Sequence, residues 1–260
     1  MAITNQDGPV KIEILESGQV WHVRLNTPKA NILDGEKVRE FTRIFQEAKG
    51  ASDLKAILVE GEGPHFSFGA SVPEHLPGKY EDMIHGFHGM FRVILDMQVP
   101  LLAAVRGQCL GGGLELVTVC HRIFAAPDAK LGQPEIMLGV LAPVASVALA
   151  DRVGRGAAED LCLCGRSLDA VEALRVGLVD DVSDDPGEAA IEYCREYLLP
   201  RSASSLRLAV KAVRAGYAKR FRKELAKVEK LYLEKLMATH DAAEGLNAFM
   251  EKRKPEWKNR

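Results

Sequence analysis

The sequence predicts an α/β fold, and three observations carry that prediction. Short runs of alternating or continuous apolar residues alternate with amphipathic segments of helical period. One apolar run, Leu101 to Val105, passes through Arg106-Gly107 towards Gly111-Gly112-Gly113, which opens directly onto an apolar helix. Beyond Pro200 only helical periodicity remains.

Taken in order, Lys11 to Asn26 alternates apolar and polar residues around Ser17-Gly18, which predicts a hairpin. Val38, Phe41, Ile44, Phe45 and Ala48 recur at steps of three and four, giving a helix from Asp34 to Lys49 with Asp34 as its cap. Leu54 to Glu60 is a strand. His65 to Gly78 is too apolar for a plain surface loop and too broken for a helix, and loops of this kind often line a site. Tyr80 to Met97 is helical, and Leu101 to Val105 and Arg122 to Ala126 are strands. Val140 to Gly154, Gly156 to Cys164 and Asp169 to Val176 are helices, and Leu178-Val179 begins a final strand. Residues 1–199 thus form an α/β core and 200–260 a helical region. The five basic side chains in Lys252 to Arg260 fit a solvated helix end or a docking site for a phosphate ligand.

At 260 residues, with 47% hydrophobic and 27% charged side chains, the chain can bury a sizeable core. A net charge of −2 argues against nucleic acid as a partner. No apolar run is long enough for a membrane span, and Met1 to Val10 lacks the pattern of a secretion signal. Five cysteines without framework spacing predict a reducing cytoplasm. Cys162-Leu163-Cys164 lacks metal-site spacing and His85 with His88 has no third ligand nearby in the sequence, so no metal is expected.

The glycine turn is neither a dinucleotide fingerprint nor a P-loop, and the chain has no Gly-x-Ser-x-Gly elbow. What remains is Glu115, in the first turn of the following helix, and Glu135, in Gly132-Gln133-Pro134-Glu135. A first-turn carboxylate can simply complement the helix dipole. Both, however, sit among apolar neighbours, and burial raises a carboxyl pKa as a general acid requires. Two such groups beside a turn that can hold an enolate oxygen would suit adding or removing water across a double bond.

Gly107 to Leu116 and Leu131 to Gly139 together resemble the crotonase (enoyl-CoA hydratase/isomerase) superfamily. The likeness extends to Leu25 to Ala30, Phe66 to Val72 and Phe249 to Lys254. It implies a crotonase-like core of repeated ββα units, with the helical C-terminal region serving trimerisation. The partners implied are an acyl-CoA thioester and further copies of the chain, as a trimer or a dimer of trimers. No cofactor is implied, CoA being part of the substrate. By the same resemblance, the backbone N–H groups of Ala70 and Gly112 form an oxyanion hole, Gly112 aided by its helix end. Glu115 and Glu135 match the catalytic glutamates of the hydratases. Lys29, Ala30, Phe68, Ser71, Val72, Pro73 and Leu141 fall in the substrate and CoA region, and Phe249 and Lys252 where a neighbouring subunit approaches.

After Glu135 the sequence departs from the ordinary fatty-acid hydratases, with Val140-Leu141-Ala142-Pro143 in place of a glycine-rich run. This stretch, with Lys29 to Asp34, Phe66 to Ser71 and Glu74 to Pro77, resembles the cyclic dienoyl-CoA hydratases of anaerobic benzoyl-CoA breakdown. The expectation is therefore a hydratase of a cyclic dienoyl-CoA. The alternatives are a hydratase of linear or branched enoyl-CoA and a non-catalytic RNA- or protein-binding member of the fold.

Overall fold

Val10–Leu15 (β1) and Val20–Leu25 (β2) form the expected hairpin, antiparallel with Val10 opposite Leu25 and Leu15 opposite Val20. The structure, a computed structural model, describes residues 8–260; most of the start read above for a secretion signal lies outside them. Gly35–Gly50 (α1) begins where the Asp34 carboxylate accepts from the Lys37 N–H at 3.0 Å, and it buries the five apolar residues of the predicted stripe. Next come Ala56–Gly61 (β3), Tyr80–Met97 (α2), Leu101–Val105 (β4) and Gln108–Leu110 (β5). Gly112–Thr118 (α3), Arg122–Ala125 (β6), Lys130–Gly132 (β7) and Pro143–Cys164 (α4) follow. The two helices expected over this last stretch run on as one element broken at Gly154, whose φ of +75° lies outside helical space.

Ser167–Asp169 (β8), Ala170–Arg175 (α5), Asp181–Val182 (β9) and Pro186–Tyr193 (α6) complete the core. The last strand therefore starts three residues later than expected. Leu178 and Val179 are buried as a turn, their N–H groups bonding the Ala173 carbonyl rather than a neighbouring strand.

The main sheet has the order β1-β2-β3-β4-β6-β9 and is parallel from β2 onward. Its central strand β4, Leu-Leu-Ala-Ala-Val, reads as a continuous apolar run because both its faces are covered. A second sheet, β5-β7-β8, is built from strands of three residues each. It holds the glycine turn against the segment that carries Glu135.

Ala203–Glu234 (α7) and His240–Met250 (α8) fold back onto the core. α7 packs on α2 and α4, and α8 packs on two short turns, Val72–His75 and Pro134–Leu138. His88, buried on α2, is tied to Glu229 of α7 at 2.6 Å. The tail after Glu251 is not a helix end. Asp241 accepts from the Lys258 and Asn259 N–H groups at 2.8 and 2.6 Å, which turns the tail back across α8. No helix of the described residues is long and apolar enough to cross a membrane.

Candidate active site

The broken segment from His65 to Gly78 is held on both sides by short parallel bridges. Leu33 donates to the Gly69 carbonyl at 2.9 Å and accepts from Ser71 at 3.2 Å, while Ser67 pairs with Cys109 of β5. The Ser71 N–H is thus used, the Gly69 N–H donates to the Ser67 Oγ at 3.0 Å, and the Ala70 N–H between them has no partner among the described residues. The Gly112 N–H, the first of α3, is likewise unpartnered. The two come together: a methyl built on Gly112 would lie 3.1 Å from the Ala70 nitrogen. Two free donors at one point are what a developing oxyanion needs.

Both glutamates converge on this point. The Gly111 N–H donates to the Gly132 carbonyl at 2.9 Å, which fixes the end of β7 beside the glycine turn. Pro134–Leu138 then swings the Glu135 carboxylate over Gly111, where an added methyl would meet its Oε1 at 2.8 Å. Gly111 also has a φ of +52°, so the position excludes a side chain twice over. With its amide nitrogen turned to Glu135, buried Gln133 donates to both carboxylate oxygens, at 3.1 and 3.0 Å.

Glu115 is buried, and its Oε1 accepts from the Ala145 N–H at 2.9 Å. It thus caps the start of α4 rather than serving only its own helix. Burial pushes the Glu115 carboxyl up against the pull of the Ala145 and Val144 N–H groups. Burial, and then the charge of Glu115, push Glu135 up as well. Glu135 is half-buried and faces a cavity that is partly open to solvent.

The cavity has a volume of about 60 Å³. It brings together Ala70, Gly112, Glu135, Phe68 and Val72 of the expected residues. Glu115 stands behind its wall, and Ser71 accepts through its carbonyl from His75. Leu141 packs in the apolar cluster behind the cavity, with Val140, Leu246 and Tyr232. Ala30 is next to the site through its carbonyl, which accepts from the Phe68 N–H at 2.9 Å. Lys29 and Pro73 are exposed and do not line the cavity, nor do Phe249 and Lys252, also exposed.

Two polar groups at the site carried no sequence signal as site residues. His75 lines the cavity directly. Tyr232 of α7 is buried behind Val140 and Leu246 with its hydroxyl unpartnered among the described residues. Buried hydroxyls are rarely left so. A larger depression of about 560 Å³ lies elsewhere, near the end of α3. Its arginines are already engaged: Arg152 and Arg214 on the Cys120 and Val119 carbonyls, Arg220 on Asp151.

Residues 16–260 match the model of the enoyl-CoA hydratase/isomerase family. The chain is 49% identical over 258 residues to the cyclohexa-1,5-dienecarbonyl-CoA hydratase of Thauera aromatica, covering 99% of this chain and all of that one. It is 35% identical to a probable enoyl-CoA hydratase of Mycobacterium tuberculosis, over 93% of this chain and 95% of that protein. Among solved structures, an enoyl-CoA hydratase/isomerase from Pseudoalteromonas atlantica superposes with a TM-score of 0.86 at 24% identity. That match covers 96% of this chain and all of the other, and at this identity it speaks for the fold. With the family's fold and sequence signature both present along nearly its whole length, the chain belongs to the enoyl-CoA hydratase/isomerase family.

Proposed function

We propose that the protein hydrates a cyclic dienoyl-CoA, converting cyclohexa-1,5-diene-1-carbonyl-CoA to 6-hydroxycyclohex-1-ene-1-carbonyl-CoA in anaerobic aromatic degradation. The observation that carries this reading is the pair of raised glutamates beside two free N–H donors. The identity to the Thauera protein, well above that to the enoyl-CoA hydratases, supports the cyclic acyl group.

The Ala70 and Gly112 N–H groups hold the thioester oxygen and draw charge towards it. Glu115, ionised, takes a proton from water as the water oxygen bonds to the conjugated diene. The negative charge passes through the diene to the thioester oxygen. Glu135, protonated in this reading, then delivers its proton to a ring carbon, and water has been added with no net proton change.

Lys29, Ala30, Ser71 and Pro73 form the approach for the CoA portion, while Phe68, Val72 and Leu141 shape the acyl end. A cavity of about 60 Å³ is too small for a six-membered ring, for which an apolar cavity of about 150 Å³ suffices. The ring therefore extends beyond this volume, along the open side of the cavity or by displacement of its apolar wall of Val72, Leu138, Val140 and Leu246.

The exposed Leu231, Phe249 and Met250 support assembly as a trimer or a dimer of trimers, with Phe249 and Lys252 reaching a neighbouring subunit's ligand. Light scattering is expected to give three or six times 28.5 kDa. The five unpaired cysteines support a cytoplasmic setting.

Replacement of each glutamate by glutamine tests the mechanism. Glu115→Gln and Glu135→Gln are each expected to slow hydration at least about a hundredfold, as the loss of one acid–base partner does. Near-wild-type turnover by either variant would contradict the two-carboxylate mechanism.

A further inference from the structure

His75 ends the short turn Val72–His75, five residues beyond Ala70, and its ring lines the same cavity as Glu135. Its Nδ1 lies 2.9 Å from the Ser71 carbonyl oxygen. A carbonyl only accepts, so Nδ1 carries the proton and donates. Burial lowers the imidazole's affinity for a second proton and keeps the ring neutral. Nε2 is then an acceptor, and it has no partner among the described residues.

The cavity sets what can reach it. About 60 Å³ is the space of roughly two waters, so a small polar group within it lies close to both Glu135 and His75. Apart from the Ala70 and Gly112 N–H groups, the wall around them is apolar, with Val72, Leu138, Val140 and Leu246. The acyl group that enters carries no donor of its own. The O–H groups that meet there are that of protonated Glu135, which is spent on the ring carbon, and those of the water that adds and of the hydroxyl it becomes.

We infer that His75 Nε2 accepts a hydrogen bond from the attacking water, and then from the hydroxyl of the hydrated product. His75 thereby directs the added oxygen to the Val72–His75 side of the ring. His75 takes no proton from the water; that proton goes to Glu115. The imidazole contributes placement and a preference for acyl groups that present the reacting carbon on its side. The inference rests on the hydratase reading above and deepens it.

Two substitutions separate the two nitrogens. In His75→Asn the side-chain amide can still donate to Ser71, as Nδ1 does, but nothing replaces Nε2. In His75→Gln the longer side chain returns an acceptor oxygen near the Nε2 position. Turnover of cyclohexa-1,5-diene-1-carbonyl-CoA and crotonyl-CoA would be measured for the wild type and both variants, together with Tm.

His75→Asn is expected to lose about tenfold in kcat on the cyclic substrate with KM within roughly threefold, while His75→Gln keeps at least about half of wild-type turnover. Full activity in His75→Asn would overturn the inference. Equal impairment of both variants would do so too, because ring shape rather than an acceptor would then be the cause. A complex of the wild-type enzyme with the hydrated product gives a readout independent of variant stability. The product hydroxyl is expected within about 3.2 Å of Nε2, and a hydroxyl farther away overturns the inference. A wild type that turns over neither thioester would remove the hydratase reading itself, and this inference with it.

Discussion

Glu135 trades stability for chemistry, and the sign of the trade follows from its raised pKa. Below the usual carboxyl value of 4.5 the group is protonated in both the folded and unfolded chain. Above it the unfolded chain ionises while the folded one still holds its proton, so stability falls as pH rises until the folded group ionises too. Glutamine carries no such penalty. Glu135→Gln is therefore expected to melt higher than the wild type by an amount that grows from pH 5 to pH 8, on the order of 2 kcal/mol at the upper end. Thermal melts across that range check this; a constant offset would contradict the proposed burial effect. Glu115 and Glu135 were legible in the sequence because each is a charged residue among apolar neighbours. The donor that holds Glu115 was not: it is the backbone N–H of Ala145, thirty positions away, and no side chain marks it. His75 lay within a family-like stretch but was not marked as a site residue, because its place in the cavity depends on how the Val72–His75 turn folds.

At the scale of elements, the glycine turn is where sequence and structure agree most closely. Gly111, with positive φ and the Glu135 carboxylate against it, accepts no side chain. Gly111→Ala is expected to displace Glu135 and to lower kcat at least about tenfold, since a shift of about an ångström at a reacting group is that costly. A steady-state assay that finds kcat unchanged would mean the turn has room that its geometry denies. The long helices α1 and α2 were readable because they repeat a period several times, and β4 because it is an unbroken apolar run. The β5-β7-β8 sheet was not, because three residues hold no period. Likewise α6, eight residues following Asp184-Asp185, escaped a reading that looked for long apolar stripes. Yet that small sheet is what brings Glu135 to Gly111. The fold class could thus be read directly, while the convergence of the site came through recognition of its motifs.

Across the whole molecule, the distant chain end supports the site. Trp257 packs against Gly139, which ends the turn bearing Glu135, and against Gly245 of α8. The tail is held there by the bonds of Lys258 and Asn259 to Asp241. Trp257→Ala is expected to lower Tm by about 2–4 °C, the effect of roughly 1 kcal/mol in a chain of this size. It should also reduce kcat by loosening the Glu135 turn; melting curves and kinetics on one preparation check both.

The central claim concerns the acyl group. The most direct measurement is the kcat/KM of the purified protein for cyclohexa-1,5-diene-1-carbonyl-CoA beside crotonyl-CoA, with the product of the former identified. The cyclic substrate is expected to be preferred by at least about tenfold, the discrimination a reshaped apolar pocket readily provides, and to yield the 6-hydroxycyclohex-1-ene thioester. Preference for crotonyl-CoA, or no hydration of the cyclic diene, would contradict the account.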